Sequence, residues 1–83
     1  MSTTELDQRR ELRLAQRAAM AMVKSASSGA QRSCHGHRSA RNNAERRFYF
    51  QTYLQFSLDW RAARAVYDGI SSQLAAMDRK ANA

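Results

Sequence analysis

The chain has no proline, a single cysteine and three glycines among its 83 residues. Without proline nothing locks φ or deletes a backbone donor inside a helix, so long uninterrupted helices are open to it. The lone thiol, Cys34, excludes an intrachain disulfide, and such cysteine usage predicts a reducing, cytoplasmic setting. No apolar run approaches the roughly 20 residues that cross a bilayer. The segment Met1 to Glu11 is polar and charged, unlike the apolar core of a secretory leader. Carboxylates are scarce as well, seven against fourteen basic groups. Their spacing sets up no acid–base pair, and no phosphate-cradling glycine motif is present. The expectation is a cytoplasmic, non-enzymatic protein without membrane contact or cofactor.

What is present favours helix. Alanine, arginine, leucine, glutamine and methionine dominate, and all are good helix formers. No stretch alternates apolar and polar residues in the manner of a strand. The strongest pattern is an apolar seam, Tyr49, Tyr53, Phe56, Trp60, Ala63, Tyr67, Ile70, Leu74 and Met77. Its alternating spacing of 4 and 3 residues lays one helical stripe against a partner helix. A helix over about residues 43–79 follows, with Asn42 or Asn43 as N-cap and Arg79 and Lys80 facing its negative end. Its length would be on the order of 50 Å. Gly69 lies inside it and marks a bend or a close backbone crossing.

An earlier stripe, Leu12, Ala15, Ala19, Met22 and Ala26, predicts a first helix over about residues 4–27. Thr3 or Thr4 can cap it, and Gly29 sits where a post-helix residue belongs. Residues 28–42 then read as a basic Ser/Gly/Arg loop, because glycine, serine and the Asn42-Asn43 pair are turn formers. The predicted fold is all-α: an antiparallel helical hairpin, the second helix longer, in a single domain spanning residues 1–83. On this reading the first helix covers only about half the seam. A second stripe, Leu54, Leu58, Ala62, Ala65 and Ala76, also lacks a cover. A homodimer or higher oligomer, two hairpins forming a helical bundle, is therefore expected, with Tyr53, Trp60, Tyr67, Leu54 and Leu58 at its interface or at a protein partner's.

Charge is concentrated. Arginine outnumbers lysine twelve to two, and of the formal net charge of +7, residues 28–47 carry +4. Arg32, Arg38, Arg41, Arg46 and Arg47, with Phe48 beside them, form the candidate site for an anion or a partner. Guanidinium groups donate bidentately to phosphate or carboxylate. The same residues fit two targets: an acidic protein surface, or nucleic acid and nucleotides stacked on neighbouring aromatics. Arginines are also ordinary on solvated helix faces, and aromatics at helical spacing are ordinary core.

Cys34, His35 and His37 are the one cluster with metal-ligand character. Structural zinc sites draw on two separated ligand pairs, and the chain has no second pair, so no metal is expected. Three functions stay open. A small regulator or inhibitor of bacterial or phage type would oligomerise and occupy a partner's surface. A nucleic-acid binder would use the basic loop. A structural subunit would belong to a larger assembly.

Overall fold

The computed structural model describes residues 3–82. Two helices account for nearly all of them: α1, Thr3–Arg38, and α2, Asn43–Ala81. They run antiparallel along a rod of 61 × 18 × 13 Å. Arg9 pairs with Asp78 near the open end. Gln16 Nε2 donates to Ser71 Oγ at 3.0 Å further in, and Gly36 meets Tyr49 near the turn. Among the described residues no helix is long and apolar enough to cross a membrane.

The first helix is longer than the sequence predicts. The expected loop over residues 28–42 shrinks to residues 39–42, and Gly29, read as a helix stop, is buried mid-helix. No residue described has positive φ, so neither Gly29 nor Gly36 uses the conformational freedom that makes glycine a turn former. Their role is steric. A Cβ built on Gly29 would collide with the Phe56 ring, and one on Gly36 with the Tyr49 ring. Two helical glycines cost about 1 kcal/mol each relative to alanine. Close seating of two aromatic rings offsets that cost, since such side chains bury 150–250 Å² each when fully covered.

The register of α1 also differs. Its inward residues are Ala19, Val23, Ala26, Gly29 and Ser33, all buried, with Leu12 and Gln16 half-buried. Ala15 and Met22, assigned to the same stripe from spacing, are exposed. The α2 seam is largely as expected: Tyr49, Phe56, Ala63, Tyr67, Ile70, Leu74 and Met77 are buried or half-buried, whereas Tyr53 and Trp60 lie on its exposed flank. Because α1 reaches Arg38, it spans the whole seam. A second chain is not needed to cover it, contrary to the half-length estimate from the sequence.

The turn is held by side chains. Asn42, extended at φ −152°, caps α2: its Oδ1 accepts from the Glu45 N–H at 2.9 Å. Glu45 Oε2 in turn accepts the Arg41 N–H at 2.9 Å. This reciprocal arrangement resembles a capping box shifted by one residue. The Ser39 N–H closes the end of α1 on the His35 carbonyl at 3.1 Å.

Candidate functional site: a basic tip flanked by aromatics

The hairpin turn gathers the predicted cationic residues at one end of the rod. Arg32 and Arg38 come from the last turns of α1, Arg41 from the turn, and Arg46 and Arg47 from the first turn of α2. All five are exposed. They stand on helices and a four-residue turn, not on the long loop expected. Glu45 is the one carboxylate in this stretch of sequence, and its side chain is occupied by the Arg41 backbone. Arg46 Nη1 reaches Asn43 Oδ1 at 3.4 Å, a weak tether that leaves its charge uncompensated.

Phe48 stands beside this patch, 62% exposed. Its ring meets Tyr49 edge-on, with centroids 5.3 Å apart. Phe48 thus keeps an open ring face, while Tyr49 packs against Gly36. On one flank Phe50 and Tyr53 form a shallow apolar recess with Cys34 and His37, and the His37 and Phe50 rings lie 6.4 Å apart. Trp60 continues this flank, next to Ser27 and Ala30.

The metal-type cluster is dispersed by the helix. Cys34 and His37 share the recess, one turn apart, while His35, one residue on from Cys34, is rotated away by about 100°. Among the described residues no group of three His, Cys, Asp or Glu side chains could hold a metal ion.

The predicted interface set separates as well. Tyr53 and Trp60 are exposed on the flank. Tyr67, the third of this seven-residue series, is half-buried, with the Arg64 guanidinium 5.5 Å from its ring centroid. Leu54 and Leu58 are exposed on α2. The exposed flank of α1, where Leu14 and Met22 are 60% and 63% exposed, was given no site role from the sequence, which put Met22 on the packed stripe with Leu14 and Ala18 beside it. Their spacing of eight residues, with Ala18 midway, was the available signal. No family model, curated protein or solved structure matches the chain.

Proposed function

We propose that this chain is a non-enzymatic helical interaction protein. It regulates or inhibits a macromolecular partner by placing its arginine tip on an acidic surface, and its apolar faces serve assembly. The observation that carries this reading is the tip itself: five exposed arginines on two helix ends and the turn between them, with the neighbouring carboxylate committed to capping α2. Desolvated or closely paired guanidinium–carboxylate contacts supply specificity and fast encounter.

A second reading, binding of nucleic acid or a nucleotide by the same tip, is favoured by exposed Phe48 next to Arg47. Base stacking on an aromatic beside cations is a sequence-tolerant binding mode. One experiment decides between them. The tagged chain is used to capture partners from native lysate, with and without nuclease, beside a variant carrying Arg41→Glu, Arg46→Glu and Arg47→Glu. The protein reading expects a partner that survives nuclease and disappears with the variant. Loss on nuclease treatment, with binding of a single-stranded oligonucleotide that falls steeply with salt, selects the second reading. A partner held equally by wild type and variant sinks both. A chain that aggregates when expressed alone points instead to a subunit of a larger assembly.

A further inference from the structure

The hairpin exposes 6438 Å². A compact monomer of its mass would expose about 5,000 Å². The surplus, roughly 1,400 Å² per chain, falls within what a protomer contributes to an obligate homodimer, about 1,000–2,500 Å². Its interior explains why. The buried apolar side chains are Ala19, Val23, Ala26 and Ala63, and no large side chain described is fully buried.

The exposed apolar area is not spread evenly. On α1, Leu14, Ala18 and Met22 follow one another at four-residue spacing, and on α2 so do Leu58, Ala62 and Val66. Leu14, Met22, Leu58 and Val66 are 56–63% exposed. Met22, Ala62 and Val66 line one groove between the helices, in which Asp59 is the single charged residue. Met22 and Ala62 lie near the midpoints of Thr3–Arg38 and Asn43–Ala81, so this face is centred on the rod.

We propose that this face packs against the same face of a second copy, across a two-fold axis perpendicular to the rod. The product is an antiparallel four-helix bundle with a basic tip at each end. The inference rests on the assembly half of the proposed function and not on what the tip binds. A two-fold axis through the middle of the face overlaps the rods along most of their length, as a self-complementary interface requires. Charge fixes the direction. A parallel dimer would crowd two sets of five tip arginines together, whereas the antiparallel one holds them apart by nearly the full 61 Å. The other flank, with Phe50, Tyr53 and Trp60, is centred towards the tip. Self-docking there would interleave the tips, so it is left open in the dimer.

The test is light scattering on the full chain at micromolar concentration, where the expected mass is twice 9.4 kDa. Met22→Glu combined with Val66→Glu should return a single-chain mass and weaken dimerisation roughly a hundredfold or more, because charges would enter a desolvated apolar interface. Trp60→Arg on the opposite flank should keep the doubled mass. Circular dichroism checks that the double variant remains helical. Should it unfold, the wild-type chain still decides: spin labels on Cys34 should lie roughly 40 Å apart in the antiparallel bundle, from the rise of 1.5 Å per residue. A separation within roughly 20 Å, the width of a parallel bundle, overturns the proposal. A double variant that stays helical and dimeric overturns this face and leaves the tip reading standing. A monomeric wild type overturns the assembly half of that reading too.

Discussion

The two halves of the rod solve the same packing problem in opposite ways. Towards the tip, α1 is reduced to glycine and serine and α2 supplies Tyr49 and Phe56. Towards the open end the contact is more even: Leu12 and Gln16 face Ile70, Ser71 and Leu74, and Arg9 pairs with Asp78. Large-on-small packing demands absent side chains, and it tolerates little change because interiors are close-packed. The polar, half-buried open end should tolerate much more.

The largest expected effect breaks the tip half. Gly29→Leu places a branched side chain where the Phe56 ring sits. It should destabilise the hairpin by about 3 kcal/mol or more, the upper range for overpacking, read as a lower urea midpoint by circular dichroism. Pairing it with Phe56→Ala should recover part of the loss, since the two side chains compete for one space. An absence of recovery would mean that the ring does not occupy that space in solution.

This is also where the sequence misleads. Gly29, Gly36 and five serines over residues 25–43 have the composition of a loop, and local propensity alone reads them so. The information that reverses this reading lies further along the chain on the other helix, in the rings of Tyr49 and Phe56 that need small neighbours. Helix type, the antiparallel pairing and most of the α2 seam were legible because the 4,3 period is local and strong. The α1 stripe was misphased because many alanines make several registers look alike: Met22 fits the spacing as well as Val23 does, yet Val23 is buried and Met22 exposed. The five arginines of the candidate site could be named from the chain. That they crown a short turn between two helix ends could not, because this depended on the loop becoming helix.

An effect of about 1 kcal/mol is expected from Asn42→Ala, the usual cost of losing an N-cap. It removes the acceptor for the Glu45 N–H at 2.9 Å and unsettles the Arg41–Glu45 contact. If the tip's rigidity matters for binding, this variant should weaken partner affinity even though every arginine remains. Unchanged affinity alongside a lowered melting temperature would separate charge from preorganisation.

Gly69→Ala sharpens the contrast among glycines. The close crossing expected there is absent: a Cβ at Gly69 would meet nothing within 4 Å, and its backbone has no positive φ. The substitution should therefore stabilise by about 0.5–1 kcal/mol, through helix propensity and a less free unfolded chain. Gly36→Ala should do the opposite, because its Cβ would strike Tyr49. The same change with opposite signs in thermal melts would show that backbone freedom is not what these glycines share. If a second copy covers Gly69 closely in solution, the gain should vanish, which links this melt to the assembly state.

The smallest effect belongs to the open end. Arg9 and Asp78 form an ion pair that joins the two helices. The Arg9 side chain is 18% exposed and that of Asp78 53%, so solvent screens half of the pair. Asp78→Asn should cost no more than about 0.5 kcal/mol, in the range of exposed pairs, and the cost should fade as salt rises. Arg9→Ala should cost somewhat more. Its buried Nε finds no acceptor, but its side chain lines the same recess as Met77 at the end of the seam, where an aliphatic stem can pack on apolar surface. A salt-insensitive loss in Arg9→Ala beside a salt-sensitive one in Asp78→Asn would show that the open end is closed by the stem of Arg9 more than by its charge. Equal, fully salt-sensitive losses would instead make the pair an electrostatic latch and bring the two halves of the rod closer in sensitivity than their packing implies.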